Sequence, residues 1–256
     1  MDLGLDGRVA LVAGASSGLG LAVATALAAE GAHVAIGART AERLQAARDQ
    51  VDAAGRGRVM STPVDVRDTD AVREWVAEVA ATMGGLHVVV ANAGGPPPGP
   101  ATDFDVDDYR EAVELNLLSS VALTQAALPH LRAAGWGRVL FVTSVAVKEP
   151  IPDLALSNTA RAGVLGYAKS LVHALGDAGI TVNVLAPGRT RTARLEQLAG
   201  DDTDEGLARL AADIPLGRVG EPAEFAAAAA FLAGEPASYI TGAVLPVDGG
   251  SYGGLS

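Results

Sequence analysis

The feature that most restricts what this chain can fold into is an alternation of two kinds of apolar run. Short stretches rich in β-branched residues recur at Arg8–Ala13, His33–Ala38, Leu86–Ala91, Arg138–Thr143 and Thr181–Gly188. Between them lie longer segments whose apolar residues repeat at helical spacing: an Ala-rich stretch to about Glu30, then Ala41–Ala54, a segment from near Thr69 to Gly84-Gly85, and Val106–His130, read as one long helix. A strand followed by a helix and another strand favours parallel pairing, and a parallel sheet buries both faces. The expected fold is therefore α/β, a doubly wound parallel sheet of about seven strands with helices on both faces.

A chain of 256 residues, 49% of them hydrophobic, can bury one sizeable core. Its 31 glycines and 13 prolines are scattered at turns and mark no linker, so residues 1–256 read as one domain. A net charge of -11, with no run among the 19 Lys and Arg residues, argues against nucleic acid and for a small-molecule partner. Without cysteine there is no disulfide, metal thiolate or catalytic thiol, and no metal site is expected. The N-terminus, MDLGLDGRVALVAG, does not resemble a signal peptide. The apolar stretch ending at Ala233 is far shorter than the ~18 residues of a membrane span. A cytoplasmic protein that does not bind membranes is expected.

The first strand runs into Gly14-Ala-Ser-Ser-Gly18-Leu-Gly20. Glycines at these positions permit a tight turn, close approach to a pyrophosphate and close packing of helix on sheet, while the helix N-terminus offers free N–H groups. The reading is of a Rossmann-type nucleotide site. The second strand ends where an acid would accept from an adenosine ribose, yet none lies between Glu30 and Glu42. Arg39 stands there, and its planar fork of donors suits a 2′-phosphate. NADP(H) is therefore favoured over NAD(H).

Further along come Asp65-Val66, Asn92-Ala93-Gly94, Gly95-Pro-Pro-Pro-Gly-Pro100, Thr181-Val-Asn-Val-Leu-Ala-Pro-Gly188, Arg218-Val-Gly-Glu-Pro-Ala, Tyr239-Ile-Thr-Gly242 and Val247-Asp-Gly-Gly250. In this order, with the glycine turn, they resemble the short-chain dehydrogenase/reductase family over nearly the whole chain. Ala91 replaces the first Asn of the family's N-N-A-G. The resemblance implies cofactor contacts from Gly14, Ser16, Ser17, Gly18, Leu19 and Gly20, from Asp65 and Val66 at the adenine, from Asn92, Ala93 and Gly94, and from Pro187, Gly188, Thr190 and Thr192 near the nicotinamide. Read on its own, Asp65 could instead cap the helix near Thr69. The resemblance also implies that Asn116 holds a water in a proton relay, that Thr192–Pro215 forms a lid, and that the chain assembles as a homodimer or homotetramer.

The departure lies in Ser144 to Arg161, SVAVKEPIPDLALSNTAR. Ser144 matches the family's serine, but thirteen residues on stands Ser157 in place of Tyr, and four beyond it Arg161 in place of Lys. Carbonyl reduction needs donors at the forming alkoxide and an acid to protonate it. Ser157 is a far weaker and shorter acid than a phenol, though the space left could admit a water. At i and i+4, Ser157 and Arg161 share a helix face, so the guanidinium can still charge the site and bind the nicotinamide ribose. It stays protonated and cannot exchange protons near neutral pH. Lys148, one of only two lysines, is a candidate replacement acid if burial lowers its pKa. Tyr167 lies about 80° around an ideal helix from Ser157, and Tyr109, Tyr239 and Tyr252 lie outside the segment. The lid mixes Leu195, Leu198, Leu207 and Leu210 with Asp201, Asp202, Asp204 and Glu205, which fits closure over a partly apolar substrate. Two readings follow: an NADP(H)-dependent carbonyl/alcohol oxidoreductase, or a nucleotide-binding protein without redox turnover.

Overall fold

The structure is a computed structural model that describes residues 1–199 and 203–255. In chain order the elements are β1 (Val9–Ala13), α1 (Gly18–Ala29), β2 (His33–Ala38), α2 (Ala41–Ala54), β3 (Val59–Pro63), α3 (Thr69–Met83) and β4 (Val88–Ala91). They continue as α4 (Val106–Val113), α5 (Ser119–Ala134), β5 (Gly137–Val142), α6 (Ala155–Leu175), β6 (Ile180–Pro187), α7 (Ala193–Ala199), α8 (Thr203–Ala211), α9 (Pro222–Ala233) and β7 (Val244–Val247). All seven strands pair in parallel in the order β3-β2-β1-β4-β5-β6-β7, as a doubly wound sheet requires.

Strands β1, β4, β5 and β6 are buried along their whole length, so an unbroken apolar run suits them better than an alternating one. On one face Val23 and Leu27 of α1, Leu44 and Val51 of α2 and Phe225 of α9 pack against Val12, Ile36 and Leu140. On the other, Trp75 and Val79 of α3, Leu123 and Leu131 of α5 and Leu171 of α6 cover Leu11, Val89 and Phe141. Each such large side chain contributes roughly 1.5–3 kcal/mol on burial.

One alternative reading is closed, and one local detail differs from the sequence expectation. Helix α3 is capped by Asp68, whose carboxylate accepts from the N–H groups of Asp70 and Ala71 at 3.1 and 3.0 Å, which leaves Asp65 without that role. Val106–His130 is not one α-helix: a π-helical turn at Glu114–Leu118 separates α4 from α5. Ser119 and Ser120 donate back to the carbonyls of Leu115 and Asn116 at 2.5 and 2.7 Å, a bonding pattern that bends helices. Such π-turns concentrate at functional sites. Among the described residues no helix is long and apolar enough to cross a membrane.

Candidate active site

The strand order reverses between β1 and β4, and the loops after these strands flank a crevice at the carboxyl edge of the sheet. Asn92 ties the two loops together, donating from Nδ2 to the carbonyls of Ala13 and Gly14 at 3.2 and 3.1 Å. Gly14 has φ +59°, and a Cβ on Gly20 would lie 2.4 Å from the Gly14 carbonyl oxygen, so the turn and the start of α1 close only on glycine. Ser17 occupies the N-cap of α1 without a side-chain capping bond, leaving first-turn N–H donors open. Thr192 packs beside Gly18, its methyl 3.4 Å from where a Cβ there would sit. Gly14, Ser16, Ser17, Gly18, Leu19, Gly20 and Thr192 thus form one glycine-cleared, donor-rich cradle whose chemistry fits a dinucleotide diphosphate.

At the far end of the crevice Arg39 leaves β2 exposed and, among the described residues, makes no salt bridge. Asp65 faces Arg67, with which it forms a 2.6 Å ion pair, and that bond chiefly holds its carboxyl below the usual carboxylate range, with Arg39 adding to the effect. Val66 beside it is half-buried.

At the other end, Ser144 follows β5 with its Oγ accepting from the Ala146 N–H at 3.1 Å, at the start of a short 3-10 turn. Arg161 on α6 is only 8% exposed. Its Nε donates to Ser157 Oγ at 3.2 Å, and its Nη1 donates to the carbonyls of Val142 and Thr143 at 3.0 and 2.9 Å. The i, i+4 pair expected from spacing is formed, and it delivers a cation to the strand end that carries Ser144. Burial, helped by the nearby charge of Arg194, lowers the Arg161 pKa to about 10, which still leaves it cationic at neutral pH.

Asn116 lies in the π-turn, buried at 3% exposure, with Nδ2 donating to the Gly94 carbonyl at 2.9 Å. Its Oδ1 is buried and, among the described residues, has no hydrogen-bond partner, leaving an acceptor open in the π-turn. Ala93 and Gly94 follow β4 next to the Asn116 contact, and after β6 come buried Pro187, Gly188 packed on Asp248, and buried Thr190, which bridges to Gly220.

Among the described residues Lys148 makes no hydrogen bond to Ser144 or Ser157. Its ammonium lies 5.1 Å from the ring centroid of Tyr252, drawn toward the C-terminal tail by the ring's negative face. Tyr167 points into the core, edge-on to Phe141, and burial raises its pKa, so it is no substitute acid. Of the lid residues, Leu207 is buried, Leu195 and Leu210 are half-buried, and Asp204 and Glu205 are exposed. Asp201, Asp202 and the side chain of Leu198 lie outside what the structure describes. Sequence reading missed Arg194. From α7 it donates through Nη1 and Nη2 to the carbonyls of Gly95 and Pro96 at 3.0 and 2.8 Å, a pairing across 99 and 98 positions that no spacing announces. Among the described residues no group of acids and histidines is placed to hold a metal.

Comparison with known proteins follows the same geometry. The family described as enoyl-(acyl carrier protein) reductase matches residues 14–252. Cis-4-hydroxycyclohexanecarboxylate dehydrogenase of Sinomonas cyclohexanicum is 38% identical over 244 residues, covering 95% of this chain and 96% of the relative. L-Sorbose reductase from Gluconobacter frateurii, solved with NADPH and L-sorbose, superposes with a TM-score of 0.96 at 30% identity over 100% of both chains. An NADPH-bound short-chain oxidoreductase from Pseudomonas aeruginosa PAO1, described as containing an atypical catalytic center, superposes with a TM-score of 0.91 at 32% identity over 97% of this chain and 96% of the other.

Proposed function

The chain belongs to the short-chain dehydrogenase/reductase family, and from that premise we propose that it is an NADP(H)-dependent oxidoreductase interconverting a carbonyl and an alcohol at a centre without the usual tyrosine. The observation that carries this reading is the buried Arg161 guanidinium, bonded at once to Ser157 and to the end of β5 beside Ser144. NADPH in the two structural neighbours and Arg39 at the end of β2 support the choice of cofactor. When bound, the nicotinamide supplies or accepts the hydride.

The chain's own residues do the rest. Arg39 receives the 2′-phosphate, the turn from Gly14 to Gly20 the diphosphate, Asp65 and Val66 the adenine, and Asn92, Ala93, Gly94, Pro187, Gly188, Thr190 and Thr192 the ribose and nicotinamide end. Ser144 Oγ already accepts from Ala146, so its own proton is free to donate to the substrate oxygen. Arg161 stabilises the negative charge that develops there and offers Nη2, which has no partner among the described residues, to the nicotinamide ribose. Because Ser157 Oγ accepts from Arg161, its hydroxyl proton is free to hold a water in the space a phenol would fill; that water protonates the product alkoxide and regains its proton from solvent, and Ser157 keeps its own. The Asn116 Oδ1 acceptor orients that path.

The test is NADPH oxidation with a panel of ketones, aldehydes and quinones. Turnover is expected, with Ser144→Ala and Arg161→Ala each lowering kcat by about 10²–10³, as loss of an oxyanion donor does. Lys148→Ala should stay within a few-fold of wild type. Saturable NADPH binding without turnover across the panel would favour the non-redox reading. The proposal includes a cytoplasmic location and a homodimer or homotetramer, the assembly supported by exposed Leu118 at the end of the π-turn and by Tyr239 and Leu245 near and on β7. Light scattering that shows only monomer at assay concentration would overturn that part.

A further inference from the structure

We propose that α7 carries an anion subsite centred on Arg194, so that the substrate is a carbonyl or alcohol compound bearing a carboxylate; this inference rests on the oxidoreductase reading above. Arg209, the lid's other arginine, is paired with Glu205, and Arg191 just before the lid is paired with Glu196. Arg194 is not. Among the described residues it meets no carboxylate, and neither does Arg161.

The position of Arg194 is fixed before any ligand arrives. Its two Nη donors are anchored on the Gly95 and Pro96 carbonyls, and its guanidinium carbon lies 3.1 Å from where a Gly95 Cβ would be, so the plane rests directly on glycine. The same loop is held from its other side by Asn116 at the Gly94 carbonyl. Prolines 96–98 stiffen it. Arginine has five N–H donors, and two are used here, leaving Nε and the outer N–H groups for a ligand. A preorganised guanidinium loses little freedom on binding and forms a charge-assisted fork with a carboxylate.

The second observation is the neighbour. Arg161, nearly buried, feels the charge of Arg194, a repulsion that an anion beside them would relieve. In a chain of net charge -11 guanidiniums without acid partners also draw anions that the rest of the surface repels. The cofactor diphosphate is the other source of negative charge, and the experiment separates the two.

Pyruvate, acetoacetate and levulinate, each beside its methyl ester, would be assayed with NADPH against wild type and Arg194→Gln. Calorimetric titrations of each acid into the NADP⁺ complex, and of NADPH into the free protein, accompany them. Glutamine can still donate to the Gly95 carbonyl, so the lid anchor is kept while the charge is lost. The acids should exceed the esters in kcat/KM by ten-fold or more, and Arg194→Gln should cut that preference about ten-fold. The Kd for NADPH should stay within two-fold, and Arg194→Lys should restore part of the preference. Equal use of acids and esters, or a preference that survives Arg194→Gln, would sink the inference while leaving the reductase intact. A variant that weakens NADPH instead of the acid would assign Arg194 to the diphosphate. If no carbonyl compound oxidises NADPH, the reductase reading fails on its own. Calorimetry then decides the subsite, retaining it if an acid binds wild type but not the variant and overturning it otherwise.

Discussion

Position 39 shows how much one side chain can decide. A guanidinium rather than an acid follows β2, and it is exposed, with no ion pair among the described residues to occupy it. Arg39→Asp is expected to weaken NADPH by at least ten-fold and to narrow or invert its advantage over NADH, read by fluorescence titration of both nucleotides. Because the contact is solvent-facing, raising the salt should shrink the wild-type advantage as the charge is screened. Unchanged nucleotide preference would show that Arg39 does not reach the phosphate. The Ser157–Arg161 pair was readable from the four-residue spacing. That Nη1 of Arg161 would reach over to the carbonyls of β5 was not, since the distance between α6 and β5 is set by packing.

Among the elements that build the crevice, the β1–α1 turn is unforgiving. A Cβ on Gly20 would meet the Gly14 carbonyl oxygen at 2.4 Å and Asn92 Nδ2 at 2.7 Å, the first a backbone atom that cannot swing aside. Gly20→Ala should therefore force the turn open, at about 1–3 kcal/mol. For a chain of this size that corresponds to a melting point lower by roughly 2–4 °C per kcal/mol, with weaker NADPH binding alongside. A variant that melts and binds like wild type would contradict the close packing. The glycine pattern announced this turn directly. The helix carrying Asn116 was less legible: apolar spacing continues through Glu114–Leu118, and the shift to a π-turn depends on serines bonding backward and on a buried Asn reaching Gly94.

At the scale of the whole molecule, the edge of the sheet opposite the crevice carries a pH dependence. His87 precedes β4 and accepts from the Val9 N–H through Nδ1 at 3.0 Å, so it is neutral in the fold. Burial first, and then the charge of Arg8, hold its pKa below the usual 6.5; Arg8 and Arg138 also sandwich the neighbouring Trp136 ring at 4.2 and 4.0 Å. Because the unfolded chain takes up a proton at higher pH than the folded one, stability rises with pH in the window just below 6.5 and is lost as pH falls through it. Wild type should lose melting temperature between pH 7 and pH 5, and His87→Gln should flatten that slope without changing kcat/KM at neutral pH. Parallel slopes for the two proteins would refute the assignment.

The sequence by itself determined the parallel sheet, the glycine turn after β1 and the pairing of Ser157 with Arg161, because periodicity, glycine spacing and a four-residue interval on one helix are properties of neighbouring residues. Only the tertiary structure decided who meets whom across the carboxyl edge. It drew Lys148 to Tyr252, gave Asp65 to Arg67 while Asp68 took the cap, and set Arg194 on Gly95. Even the short-range choice between Asp65 and Asp68 depends on where a guanidinium and a helix start come to rest. Contacts across about a hundred residues depend on how the loops close once both faces of the sheet are packed, and no local pattern encodes that closure.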